Sequence, residues 1–243
     1  MQVLDRIAAR NDNAGAVQPV LIAFLGDSVT HGCFEVYMDH RDEIGIIYEP
    51  DSGYPYRLKR RLDELYPAAA VSILNAGVSG ERASDGARRI RRDVLSRRPD
   101  LVVLAFALND SMGDDVETGL CEYRAAMESM IRDTLESGAE CIVLTPNPMC
   151  AYVRSDVREK TLRDIAEAAC IVQNQGILSR YVQAARECAK KHRVPVADAY
   201  QVWMQMAAKG VDTTRMLSNA INHPSRQAHD IFLNVLTDVL FNQ

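Results

Sequence analysis

Long apolar runs are missing from this sequence. No tract approaches the ~20 consecutive apolar residues that a membrane-spanning helix needs. The opening MQVLDRIAARNDNAGAVQ interleaves charges with apolar residues and lacks the apolar centre of a secretory signal. A cytoplasmic location with no membrane partner is therefore expected. Charge of one sign is also scarce: the net charge is −5 over 243 residues, which removes the electrostatic footprint of a nucleic-acid binder. Two arginine-rich stretches, RLKRR (57–61) and ARRIRRDVLSRRPD (87–100), do not change this. In the second, Ala87, Ile90, Val94 and Leu95 keep helical spacing, so its arginines are expected on the opposite, solvated face. The six cysteines (33, 121, 141, 150, 170 and 188) form no CxxC pair and no Cys/His spacing suited to zinc. Buried free thiols are expected and no metal. Cys33 and Cys150 lack an evident histidine partner, which sets aside a cysteine nucleophile. There is no GxxxxGK[ST] and no GxGxxG after the first strand, so a nucleotide or flavin-phosphate binder lacks its motifs and no cofactor is implied.

What is present is an alternation. VLIAFL (20–25), VSIL (71–74), LVVLAFA (101–107), CIVLT (141–145) and VPVAD (194–198) read as strands, and runs without polar alternation suit a parallel sheet covered on both faces. Between them apolar residues recur at three and four: Leu58, Leu62 and Leu65; Leu120, Tyr123, Met127, Met130 and Ile131. A wide stripe of Ile231, Phe232, Val235, Leu236, Val239 and Leu240 ends the chain in a docked helix. Strand then helix, repeated, predicts an α/β class fold, a three-layer α/β/α sandwich. With no repeat, low-complexity tract or linker, one domain over 1–243 is expected. Residues 33–53 form a long polar and aromatic connection, and 146–192 two helices or one broken near Gly176; either stretch is placed to wall a pocket.

In a parallel sheet all strand ends open on one edge, where α/β proteins bind ligands. The ends here offer GDSVT (26–30), NAGVSG (75–80), LND (108–110) and TPNP (145–148), with NHPS (222–225) ahead of the last helix. A serine, small glycine loops, an asparagine and a late histidine are the parts of an acyl-transfer site. Ser28 needs a base within hydrogen-bond reach, and His223 is the candidate. An oxyanion needs fixed donors, which the backbone N–H groups of Ser28 and Gly77 and the side-chain amide of Asn109 would supply.

In this order and spacing, Ser28 in GDSVT, Gly77 in NAGVSG, Asn109 in ALND and His223 in NHPS resemble the SGNH hydrolases, the GDSL esterase and lipase family. The likeness runs over nearly the whole chain and includes PDLVVLAFALND and the Tyr123 region. It implies a flavodoxin-like five-stranded parallel sheet of order 2-1-3-4-5. It also implies Ser28 as nucleophile, His223 as base, an oxyanion hole of Ser28, Gly77 and Asn109, and Asp27 as a residue that holds the turn behind the nucleophile. Two positions depart from the family pattern. Ala107 stands where most members have glycine, a change of one methyl. Ala220 stands where the family places the aspartate that orients the histidine.

Losing that aspartate costs on the order of 10⁴ in rate when the wrong tautomer results. A backbone carbonyl near Ala220, the side-chain oxygen of Asn219 or Asn222, or Asp212 is expected to hold Nδ1–H instead, the carbonyl or asparagine ahead of the aspartate. The expected activity is that of a serine esterase cleaving a small acyl ester, acetyl first, from an alcohol or carbohydrate through an acyl-enzyme on Ser28. The alternative is a catalytically impaired binding module for a sugar or acyl ligand. His229 is expected to be packed or solvated and His31 structural at the pocket border. Asp110, Asp114 and Asp115 are expected in a solvated loop. The expected partner is a small ester; oligomeric state is not legible.

Overall fold

The computed structural model describes residues 1–242. After helix α1 (Gln2–Asp12), the apolar runs become the five parallel strands β1 (Leu21–Gly26), β4 (Ser72–Gly77), β5 (Leu101–Ala105), β6 (Glu140–Leu144) and β7 (Val196–Ala197), in the order β4-β1-β5-β6-β7. Counted within this sheet alone, that is the order 2-1-3-4-5. β1 lies at its centre, hydrogen-bonded to β4 on one side and β5 on the other, and Ile22 to Leu25 are fully buried. Strands covered on both faces have no solvated side, which is why they show no polar alternation.

The helices cover both faces. α3 (Tyr54–Leu65) packs on α9 (His229–Asn242), while α4 (Ala83–Asp93), α5 (Val116–Glu136) and α7 (Ile177–His192) form a second group. α3 buries Leu58 and Leu62 and leaves Leu65 exposed at its end; α9 buries Phe232, Leu236, Val239 and Leu240. The long stretch after β6 holds two helices, α6 (Lys160–Asn174) and α7, separated at Gly176, whose φ of +71° suits a residue without Cβ. Helix α8 (Ala199–Ala208) follows β7. Among the described residues no helix is long and apolar enough to cross a membrane.

Three features differ from expectation. The connection over 33–53 contains a hairpin of β2 (Cys33–Met38) and β3 (Ile44–Tyr48), a two-stranded sheet apart from the main one. Arg89 in α4 is buried on the helix's inner side, where its guanidinium pairs with Glu81 at 2.6 Å and reaches Asp93 at 3.5 Å. A buried guanidinium is tolerated because carboxylates meet it. Asp110 is also buried: it accepts from Ala83 N–H at 2.9 Å and so closes the first turn of α4, whereas Asp115 caps α5 at the surface.

Candidate active site

β1 ends at Gly26 because nothing larger fits there: a Cβ would stand 2.1 Å from Thr30 Oγ1 and 2.6 Å from the Ala105 carbonyl. Asp27 then caps the short helix α2 (Ser28–His31) by accepting from Val29 N–H at 3.0 Å, and Gly32 closes it at φ +95°. Ser28 is therefore held on the first turn of a helix of four residues, 4% exposed. Burial, assisted by the charge of Asp110, pushes the Asp27 carboxyl up to about 7.

Strand β4 grips α2 from the side. Asn75 donates through Nδ2 to the Thr30 carbonyl at 2.8 Å, and its Oδ1 accepts from the Gly77 N–H at 3.0 Å. Gly77 is glycine for steric reasons, since a Cβ would lie 2.3 Å from His31 N. This corrects the donor assignment: the Gly77 N–H is already committed to Asn75. Three residues on, Gly80 stands at φ +83° with open space around it, and among the described residues no acceptor takes its N–H. Asn109 is tied to the same segment, donating from Nδ2 to the Glu81 carbonyl at 2.8 Å. Among the described residues no acceptor takes its second amide hydrogen or the Ser28 N–H at the head of α2. Ala107 carries φ +140°, a conformation in which glycine is relaxed and alanine strained, so the departure at this position changes the backbone energy as well as adding a methyl.

The imidazole arrives from the far end of the sequence. Asn219 Oδ1 accepts from the backbone N–H groups of Ile221, Asn222 and His223 at 3.0, 2.9 and 2.8 Å, which folds 219–223 into a tight turn with Ala220 at φ +59°. From the loop after β6, Asn147 Nδ2 donates to the Asn222 carbonyl at 2.8 Å and the Cys150 N–H to the Ile221 carbonyl at 2.7 Å. Held this way, His223 is 5% exposed, with Nε2 at 3.0 Å from Ser28 Oγ and Nδ1 at 2.9 Å from the Phe34 carbonyl oxygen.

The expected orienters are thus corrected. Asn219 shapes the turn, and its Nδ2 donates to Asn222 Oδ1 at 3.0 Å. Asp212 lies at the surface, where it accepts from Tyr152 Oη at 2.6 Å. The group at Nδ1 is a carbonyl, but of Phe34 in β2 rather than one near Ala220. A carbonyl oxygen can only accept, so Nδ1 carries the hydrogen and Nε2 presents its lone pair to the serine hydroxyl. Burial lowers the imidazole to about 4; the Phe34 carbonyl and the charge of Glu35 act against that shift without cancelling it.

The remaining candidates take structural places. His229 is buried among Phe34, Tyr54 and Phe232 and accepts from Tyr54 N–H through Nδ1 at 3.1 Å. His31 leans on Tyr48, with ring centroids 4.8 Å apart. Burial pushes the Cys33 thiol up to about 11 and the Cys150 thiol up to about 12, so neither supplies a thiolate. Phe34, Asn75 and Gly80 were missed from sequence. NAGVSG contains both glycines and the asparagine that decides between them, but a carbonyl has no letter of its own.

Comparison with known proteins gives a consistent result. The model of the GDSL-like lipase/acylhydrolase family matches residues 24–231. An acetylxylan esterase from Geobacillus stearothermophilus is 26% identical over 132 residues, a segment that spans 51% of this chain and 58% of that relative. The crystal structure of a catalytic mutant of an acetylxylan esterase from the same organism superposes with a TM-score of 0.68 at 18% identity, covering 91% of this chain and 94% of the other. An α/β hydrolase enzyme from the metagenome of Lake Arreo superposes with a TM-score of 0.64 at 19% identity, covering 89% and 93%.

Proposed function

Because the chain belongs to the GDSL-like lipase/acylhydrolase family, we propose that it is a serine esterase that removes a small acyl group, acetyl first, from an alcohol or carbohydrate. The observation that carries this reading is the relay Ser28 Oγ, His223 Nε2, His223 Nδ1, Phe34 O, with steps of 3.0 and 2.9 Å across the two ring nitrogens. The family supports hydrolysis of carboxylic esters, and the name of the acetylxylan esterase relative supports acetyl on a sugar as the first substrate to try.

In this mechanism Ser28 Oγ attacks the ester carbonyl while His223 Nε2 takes the hydroxyl proton. The carbonyl oxygen becomes an oxyanion, received by the Ser28 and Gly80 N–H groups and the remaining amide hydrogen of Asn109. Collapse breaks the bond to the alcohol, which leaves with the proton from Nε2 and an acyl group on Ser28. Water then attacks that acyl group while His223 Nε2 takes its proton; the bond between Ser28 Oγ and the acyl carbon breaks, Nε2 returns the proton to Oγ, and the carboxylic acid leaves. The Phe34 carbonyl keeps the ring in the productive tautomer throughout. It also supplies an electron-rich partner to the transient imidazolium, weaker than a carboxylate because it carries a dipole rather than a charge.

The bond from Nδ1 to the Phe34 carbonyl supports the esterase reading over the impaired binding module, because the harm of a missing acid lies largely in the wrong tautomer and this bond favours the productive one. Hydrolysis of p-nitrophenyl acetate by wild type and by Ser28→Ala tests the reading. Loss of turnover in the variant is expected, with butyrate and longer esters cleaved more slowly than acetate by wild type. Equal rates in the two proteins would end the esterase reading.

A further inference from the structure

Phe34 belongs to a hairpin that is poorly equipped to hold a catalytic carbonyl still. Among the described residues β2 and β3 pair only with each other, and an isolated two-stranded ribbon is marginal in water. Their register slips between Cys33 and Val36, so Phe34 and Glu35 sit where the ladder is irregular. The outer strand exposes Ile44, Ile47 and Tyr48. Something beyond strand pairing has to fix the Phe34 carbonyl.

Arg226, three residues past His223, meets that need. Its Nη1 and Nη2 fork onto Glu35 at 2.6 and 3.0 Å, while Nε and Nη2 fork onto Glu49 at 2.7 and 2.5 Å. Glu35 lies in β2 and Glu49 directly follows β3, so one guanidinium ties both strands to the segment that carries the base. The guanidinium carbon stands 4.5 Å from the centroid of the Phe34 ring, and the ring's centroid is 5.1 Å from that of buried His229. Four of the five N–H donors of the guanidinium are used.

We propose that Arg226 is a positioning residue, whose clamp on Glu35 and Glu49 holds the Phe34 carbonyl against His223 Nδ1 and so does the work of the aspartate replaced by Ala220. This rests on the Ser28–His223 esterase reading. Side-chain exposures of 32% for Arg226, 37% for Glu35 and 41% for Glu49 leave the ion pairs open to solvent screening, which limits what even a forked network adds to global stability. Their effect belongs in turnover.

The test is steady-state hydrolysis of p-nitrophenyl acetate by the full chain and its Arg226→Gln, Arg226→Lys and Glu49→Gln variants, with Ser28→Ala run in parallel. In Arg226→Gln, kcat should fall roughly 10- to 100-fold, the scale of a displacement of about 1 Å in a catalytic group, while KM stays within about twofold. Arg226→Lys, which keeps the charge without the fork, should recover part of the loss. Glu49→Gln should show a smaller fall in kcat. A folded Arg226→Gln with wild-type kcat overturns the proposal, and should that variant fail to fold, wild-type kcat in Glu49→Gln overturns it. If Ser28→Ala is inactive while the clamp variants match wild type, only the clamp fails. If Ser28→Ala matches wild type, the esterase reading falls and the clamp with it.

Discussion

The acid limb of activity should lie far below the ordinary pKa of histidine. In the free protein His223 is lowered from 6.5 to about 4, a difference of about 2.5, or about 3 kcal/mol against the imidazolium. Burial is the main cause. The groups that face the ring are Ser28 at Nε2, the Phe34 carbonyl at Nδ1, Glu35 beside that carbonyl, and the neighbouring His229, which is itself lowered to about 3. His223 is therefore already neutral at pH 5, where a solvated imidazole would be almost fully protonated. The assay is kcat/KM for p-nitrophenyl acetate between pH 3.5 and 8, which reports the free enzyme's essential groups. A plateau down to about pH 5 and a half-maximum near 4 are expected. Stability falls in the same direction but over a higher window: between about 4 and 6.5 the unfolded chain binds a proton that folded His223 refuses, so stability is lost as pH falls through that window. Circular dichroism at each pH separates unfolding from protonation. A half-maximum at 6.5 or above in folded protein would refute the reasoning.

Asp27→Asn should gain stability over wild type as pH rises from 4 to 8, by up to about 4 kcal/mol, because folded Asp27 stays protonated to about 7 while the unfolded chain ionises near 3.8. Urea unfolding at several pH values measures this; a pH-independent difference would contradict it. Gly77→Ala should lose roughly 1–3 kcal/mol from overpacking, with reduced kcat because the helix carrying Ser28 must shift. Gly80→Ala meets open space and should lose only about 1 kcal/mol from its positive φ; the opposite ranking in unfolding midpoints would contradict the assignment. Asn109→Ala should lower kcat by roughly 10² to 10³, the cost of removing one oxyanion donor, and unchanged kcat would remove Asn109 from the site.

The sheet was legible because its strands are buried on both faces: five apolar runs predicted five strands, each within a few residues of its observed place. The residues that meet at the strand ends were legible because they are side chains in short motifs. What stayed hidden depends on atoms that carry no residue identity or on pairings distant in sequence. Phe34 meets His223 through a carbonyl, and its hairpin shows little alternation because apolar residues, Ile44, Ile47 and Tyr48 among them, also occupy its exposed positions. The choice between Gly77 and Gly80 turns on one hydrogen bond from Asn75, which no spacing predicts. Arg89 counted as a surface charge until Glu81 met it inside. Arg226 offered no signal at all, since Glu35 and Glu49 lie nearly the whole chain away.

The most direct measurement is reaction with a fluorophosphonate followed by peptide mass spectrometry, since covalent capture requires an activated hydroxyl rather than a shaped crevice. One adduct on Ser28, absent in Ser28→Ala and strongly slowed in His223→Ala, is the expected result. Folded wild-type protein left unlabelled, or an adduct on another residue, would contradict it.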